Sequence, residues 1–275
     1  MASDAPARRA AVAGKPVGHS LSPVIHNSGY AAAGLHDWRY TAIECAETEL
    51  ADLVSGLGPE WAGLSLTMPL KEVAVTVADT VSPLATALGA ANTFVRTGDR
   101  WHAENTDAPG MVDALREAGL SSVDTVAVLG AGGTARAALA AAAQLGATVT
   151  VYARRQSAFD ELRPVAARLG LDLQGVAWSS AVGAADADVV ISTVPKGVAD
   201  ELVGVPWRGD GVLFDAIYDP WPTPLAAAAA ARGCAIVSGL DLLLTQAVHQ
   251  FVAFTGVAAP VEAMRSALFA AAAAR

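Results

Sequence analysis

The stretch Gly130-Ala131-Gly132-Gly133-Thr134-Ala135-Arg136 has the residue types and spacing to hold a phosphate. It follows the apolar run 126–129 and opens the alanine-rich run 137–143, so the order is strand, glycine turn, helix. Gly130, Gly132 and Ala135 fit the G-x-G-x-x-G/A dinucleotide fingerprint. Gly130 permits the tight turn, Gly132 lets backbone amides approach a pyrophosphate, and Ala135 lets helix and strand pack closely. The helix start adds unpaired N–H groups and the positive end of a dipole.

The next strand, 147–152, ends in Ala153-Arg154-Arg155. An NAD-binding domain would carry Asp or Glu there, about 20 residues past the first glycine, for the ribose 2′-OH. Arginine instead brings a permanent charge and a fork of donors suited to phosphate. Arg154 and Arg155 therefore point to NADP, gripped at its 2′-phosphate. The alternative is a solvated pair ahead of a helix that starts at Ser157, with Ser157 and Asp160 as a capping box.

These residues need a framework. The 275 residues allow one large or two ordinary domains, and 53% hydrophobic against 16% charged content supplies a sizeable core. A net charge of −9 without a basic stripe argues against a nucleic-acid partner. Positive sites must therefore be made locally. Cys45 and Cys234 sit apart in apolar runs, which suggests reduced, buried thiols and a cytoplasmic location. Residues 1–9 carry charges with no apolar segment behind them, so no signal peptide is expected. No run reaches the ~18 uncharged apolar residues of a membrane span. His19 and His26 have no third ligand nearby, so no metal site is expected.

Strands alternate with helices throughout, which predicts an α/β class with largely parallel sheets. In the first third, strands fall at 10–13, 40–44 and 62–66, with a hairpin of 92–96 and 101–104 around Thr97-Gly98-Asp99. Ser22 as N-cap with Pro23 behind it starts a helix that stops at Gly34. Ser82-Pro83 starts another that stops at Gly89, and Pro109 opens one that stops at Gly119. From Asp124 a regular βαβ succession places strands near 124–129, 147–152, 172–176, 187–193, 211–217 and 234–238. An alanine helix follows Thr223, and two helices lie beyond Leu242. A boundary in the segment 105–123 with a return near Gly239 would give two α/β domains, and the space between such domains is a usual place for a substrate to meet a cofactor.

Several segments sharpen this. The run Gly14-Lys15-Pro16-Val17-Gly18-His19-Ser20-Leu21-Ser22-Pro23-Val24-Ile25-His26-Asn27 resembles the amino-terminal signature of shikimate dehydrogenases. Thr67-Met68-Pro69-Leu70-Lys71 and Asn105-Thr106-Asp107 with Gly110 resemble two further motifs of that family. The glycine loop with Arg136, Ser192-Thr193-Val194-Pro195, Asp215-Ala216-Ile217-Tyr218, and Gly239 with Gln246 follow in order. The resemblance spans nearly the whole chain.

It implies reversible reduction of the C3 ketone of 3-dehydroshikimate to shikimate by NADPH, a step of aromatic amino acid biosynthesis. It also implies a substrate-binding and catalytic α/β domain with a mainly parallel sheet, 1–107, completed by helices in 242–275. A Rossmann-like NADP-binding domain would cover 108–241. Lys71 and Asp107 match the family's catalytic pair: the ketone oxygen needs a proton donor within about 3 Å, and an ammonium can stabilise the developing charge and supply that proton. Read alone, Lys71 is more readily a surface lysine on a short helix and Asp107 a helix N-cap before Pro109. Ser20 and Ser22 match the hydroxyls that take the substrate carboxylate, and Thr67, Asn92 and Gln246 match residues on the ring hydroxyls. Asn and Gln suit that task because each donates and accepts. Tyr218 would contact the substrate or close the site. Gly130, Ala131, Gly132, Gly133 and Ala135 would line the pyrophosphate, and Arg154 and Arg155 the adenosine phosphate. Thr193 and Val194 would touch the cofactor, with Ile217 and Gly239 near the nicotinamide. The expected partner is the small-molecule substrate alone, with no nucleic acid and no membrane, in a monomer or homodimer.

The chain departs from the family in places. Ala153 and Arg155 replace an asparagine and a hydroxyl residue that commonly flank the arginine, and Asp241-Leu242 replaces a Gly-Met pair whose methionine packs on the nicotinamide. Two rivals follow. One is a quinate or dual quinate/shikimate dehydrogenase, against which Ser20, Ser22 and Arg154 argue. The other is a non-catalytic NADP(H)-responsive binding protein, against which the joint presence of Lys71 and Asp107 argues.

Overall fold

The computed structural model describes residues 7–120 and 123–275. The amino-terminal expectation falls largely on residues 1–6, outside the described ones. The chain divides into two compact units, Met1–Thr106 with Leu243–Arg275, and Asp107–Leu242.

The first unit runs β1 (Arg8–Gly14), α1 (Ser22–Ala32), β2 (Trp38–Glu44), α2 (Leu50–Ser55), β3 (Trp61–Leu66), α3 (Ala74–Val77), β4 (Thr80–Val81), α4 (Pro83–Leu88), β5 (Thr93–Thr97) and β6 (Arg100–Glu104). Its sheet has the order β2-β1-β3-β5-β6-β4. β1 lies parallel to β2 and β3, β4 parallel to β6, and the β5–β6 hairpin is antiparallel, as is β5 against β3. Ala11, Ala13, Leu64, Leu66 and Phe94 form one core with Leu50, Leu70 and Ala85. α4 has the start its sequence suggests: Ser82 Oγ accepts the Ala85 N–H at 3.2 Å, and Gly89 ends it at φ 62°.

The second unit runs α5 (Asp107–Glu117), β7 (Thr125–Leu129), α6 (Gly133–Leu145), β8 (Thr148–Ala153), α7 (Gln156–Arg168), β9 (Leu173–Ala177), β10 (Val189–Ser192), β11 (Val212–Asp215), α8 (Pro224–Ala231), β12 (Ala235–Ser238) and the first turn of α9 (Gly239–Thr255). The rest of α9 and α10 (Val261–Ala273) belong to the first unit. All six strands are parallel in the order β12-β11-β10-β7-β8-β9. The strand order reverses beside β7, between β7 and β10, which is where such sheets take ligands at the carboxyl ends of their strands. The small side chains Ala135, Ala138 and Ala142 of α6 are buried, which lets the helix lie close to its sheet. Among the described residues no helix is long and apolar enough to cross a membrane.

Four local expectations need correction. Ser22 is the first residue of α1 and not its cap: Leu21 is already helical at φ −86°, ψ −7°, and its carbonyl takes the Val24 and Ile25 N–H groups. α7 starts at Gln156 after Arg155, so Ser157 and Asp160 form no capping box; Asp160 instead lies 3.8 Å from Arg163, one turn on. The connections after β9 and β10 carry 3₁₀ turns, 178–186 and 200–202, in place of α-helices. β11 stops at Asp215, short of Ile217, because the Asp215 carboxylate takes the Ile217 N–H at 3.2 Å and the Thr223 hydroxyl at 2.7 Å, turning the chain.

Candidate functional site

In the first unit, backbone bonds knit three sequence segments along one sheet edge. Thr67 N–H donates to Ala13 O at 2.9 Å, and Lys15 N–H to Met68 O at 2.9 Å. Leu66 N–H donates to Asn92 O at 2.7 Å, and Ala91 N–H to Lys71 O at 2.8 Å. Thr67, Lys71 and Asn92 are thereby brought to the carboxyl ends of β1 and β3, where the antiparallel β5 begins. Thr67 and Lys71 are half-buried and Asn92 is buried.

The loop from β1 to α1 leaves the same edge. Its Val17 N–H donates to Glu44 Oε1 at 2.9 Å, and the Ser22 N–H donates to Ser20 Oγ at 3.2 Å. Ser20 and Ser22 thus form one turn at the mouth of α1. Because Leu21 does the capping, α1 does not need the Ser22 hydroxyl for itself. Gln246 is buried on α9, with Nε2 donating to Leu243 O at 2.9 Å.

Behind this edge lies a buried polar network that the sequence did not suggest. Tyr40 O–H donates to Ser65 Oγ at 2.5 Å, and Ser65 O–H to Gln250 Oε1 at 2.6 Å. Gln250 Nε2 donates to Thr93 Oγ1 at 3.0 Å, and Thr93 O–H to Asn92 Oδ1 at 2.9 Å. Thr106 N–H donates to Asn92 Oδ1 at 2.7 Å, and Asn92 Nδ2 to Thr106 Oγ1 at 3.0 Å. His26 stacks face to face on Tyr40, with centroids 4.2 Å apart. Burial lowers its pKa to about 3, against a weaker opposing pull from Gln250, so its ring is neutral. The sequence signal was a second glutamine one helical turn after Gln246, on a helix that also buries Leu244, Ala247 and Phe251.

In the second unit the glycine turn follows β7 as expected. Gly130 has φ +102°, and a side-chain carbon there would sit 2.7 Å from Thr193 Oγ1 and 3.1 Å from Val194. Only glycine fits. Thr193 is itself fixed, both N–H and O–H donating to Leu129 O at 2.9 Å. Gly130, Thr193 and Val194 therefore come together, beside Ala131. Gly132 and Gly133 are exposed, and a side-chain carbon on either would meet no protein atom within 4 Å. Bare backbone opening α6 is a cradle that fits a pyrophosphate. Ala135 is fully buried, and Arg154 and Arg155 are exposed just past β8.

Gly239 is packed against Ala216 O, and a side-chain carbon there would sit 3.0 Å from Tyr218 Cδ1, so Gly239, Ile217 and Tyr218 share one loop cluster. Asp215 anchors that loop; burial raises its pKa, while hydrogen bonds led by Thr223 pull it down. Asp241, the departure from the family pattern, accepts from Ser238 N–H at 2.8 Å and Ser238 O–H at 2.7 Å, tying the end of β12 to the first turn of α9. Asp107 is the first residue of α5, buried at 8% exposure, where a carboxylate gains from the helix dipole.

Residues 12–94 match the family model described as shikimate dehydrogenase substrate binding domain, and 239–269 the one described as Shikimate 5'-dehydrogenase C-terminal domain. The chain is 38% identical over 266 residues to the shikimate dehydrogenase (NADP(+)) of Anaeromyxobacter sp. (strain K), covering 94% of each. It superposes on the crystal structure of Mycobacterium tuberculosis shikimate dehydrogenase with a TM-score of 0.88 at 45% identity, over 96% of this chain and 99% of that one. For the Thermus thermophilus enzyme in complex with NADP(H) and shikimate the TM-score is 0.84 at 31% identity, over 96% and 99%.

Proposed function

The chain belongs to the shikimate dehydrogenase family, and we propose that it catalyses the reversible, NADP-dependent reduction of 3-dehydroshikimate to shikimate. The observation that carries this is the backbone knitting that sets Thr67, Lys71 and Asn92 on one sheet edge, beside the Ser20–Ser22 turn. NADPH, when bound, supplies the hydride that the ketone carbon receives. The chain's own residues do the rest. Ser20 and Ser22 bind the substrate carboxylate, with the start of α1 favouring its charge. Thr67, Asn92 and Gln246 bind the ring hydroxyls and fix which carbon faces the cofactor. Tyr218 covers the site.

Lys71 donates a hydrogen bond to the ketone oxygen and delivers the proton as that oxygen gains charge; in the reverse direction it takes the proton back. Asp107 orients the ammonium. Gly130, Ala131, Gly132 and Gly133 receive the pyrophosphate, with Ala135 packing α6 close beneath the turn; Arg154 and Arg155 take the 2′-phosphate, Thr193 and Val194 contact the cofactor beside Gly130, and Ile217 and Gly239 lie near the nicotinamide. Two buried free cysteines, Cys45 and Cys234, support placement in the reducing cytoplasm. Absorbance at the reduced-nicotinamide band, with shikimate and NADP, tests the proposal. Steady turnover is the expected result. Binding of both ligands without turnover would leave a binding protein on the same scaffold.

A further inference from the structure

The chain carries four methionines. Met111 and Met264 are fully buried, whereas Met68 is 68% exposed, more than any other large apolar side chain among the described residues. The segment around it is nevertheless held. Met68 O accepts the Lys15 N–H at 2.9 Å, Thr67 N–H donates to Ala13 O at 2.9 Å, and Leu70 N–H closes a turn on Thr67 O at 2.8 Å. Leu70 is fully buried. The fold thus fixes the backbone of Met68 and leaves its thioether in water, directly after Thr67 and three residues before Lys71. The thiols, which compete for the same oxidants, are protected. Cys45 and Cys234 are buried, and burial pushes both of them up, so little reactive thiolate is present.

We propose that Met68 is an oxidation site that controls the substrate edge: hydrogen peroxide transfers one oxygen atom to its sulfur, giving methionine sulfoxide and water, and the oxidised protein turns over shikimate more slowly. The sulfur gives up two electrons, and the peroxide O–O bond takes them as it breaks. A flexible apolar side chain becomes a polar one with a strong acceptor oxygen. That acceptor stands beside Thr67, assigned to a ring hydroxyl, and one turn from Lys71, assigned to the ketone oxygen. It competes with the substrate for their donors. The loss of turnover rests on those assigned roles; the selective oxidation of Met68 does not. Methionine sulfoxide reductases reverse the change, so the state is switchable.

Peptide mapping after timed exposure to hydrogen peroxide, with shikimate turnover followed in the same samples, tests this. Oxygen should appear on the Met68 peptide before the Met111 and Met264 peptides, with the Met1 peptide read separately. Turnover should fall in step with Met68 oxidation, by about tenfold, as for a small misplacement of catalytic groups. Methionine sulfoxide reductase with a thiol reductant should restore both readings. Met68→Leu keeps an apolar side chain without the sulfur, and it should hold its own untreated rate through the same exposure. Oxidation of Met111 or Met264 ahead of Met68 overturns the proposal. So does a fully oxidised Met68 with unchanged turnover, or a Met68→Leu variant that loses activity as fast as the wild type. If Met68→Leu does not fold, mapping and repair of the wild type still decide. Absence of turnover in the untreated wild type would instead count against the function itself, and the order of oxidation would still decide whether Met68 is the site.

Discussion

On the substrate edge, Asn92, Thr93, Thr106 and Gln250 hold one another through side-chain hydrogen bonds, whereas the turn at Gly130 to Gly133 is shaped by backbone and by open space. The difference fits what each is proposed to hold. A small polyol is recognised by where donors and acceptors point, so its contacts must be locked in sense as well as in place. A pyrophosphate is recognised by charge and by a row of N–H groups, which any sequence supplies once side chains are out of the way. The substrate edge should therefore be sensitive to polar deletions, and the cofactor turn to added bulk.

The strongest break is expected at Lys71. Lys71→Ala should lower turnover by on the order of 10²–10⁴-fold, the range for a positioned general acid or base, with little change in shikimate affinity. Asp107→Asn should also cut turnover, and the double variant should lose less than the product of the two single losses. Near-normal turnover in Lys71→Ala would make it a surface lysine.

At the cofactor turn, Arg154→Ala should raise the NADP Michaelis constant roughly ten- to a hundredfold, as for a lost charge-assisted bond, and leave NAD nearly unchanged. Equal loss with both cofactors would remove the arginine from the 2′-phosphate.

Two glycine variants separate shape from ligand access. Gly130→Ala forces φ +102° on an alanine and crowds Thr193, so it should destabilise the fold by about 1–3 kcal/mol. Gly132→Ala meets no protein atom, so thermal melting should stay near the wild-type value while NADP binding weakens. If Gly132→Ala bound NADP normally, the open space beside it would not be the pyrophosphate cradle.

The smallest effect is expected from His26, behind the substrate edge. Its folded-state pKa of about 3 lies below the ordinary 6.5, so between those values the unfolded chain holds a proton that the folded chain does not. Stability from this group is complete above pH 6.5 and declines as pH falls, by about 1.4 kcal/mol at pH 5.5. Chemical denaturation at pH 7.5 and 5.5 should show this loss, and His26→Phe should remove it. An unchanged pH slope in that variant would assign the loss to other groups.

The strands and the glycine turn were legible because short apolar runs and fixed glycine spacing are local signals. β7 with Gly130, and Ser82 with Gly89 around α4, needed no tertiary information. The substrate network was not legible. Tyr40, Ser65, Asn92, Thr106 and Gln250 come from separate segments, and Ser65 is hidden inside an otherwise apolar strand. The Ser22 cap failed because Leu21 had already entered the helix, and the Ser157 cap because the chain turned helical one residue sooner. Asp241 looked like a loss against the family pattern; its bonds to Ser238 give it a structural task that only the fold shows.

The central claim, a chain that pairs a shikimate edge with a 2′-phosphate grip, is tested most directly by initial rates for shikimate and quinate, each with NADP and with NAD. We expect kcat/KM to be highest for shikimate with NADP, with quinate poorly used and NAD disfavoured through its Michaelis constant. A maximum for quinate with NAD would contradict the substrate and the cofactor assignments at once.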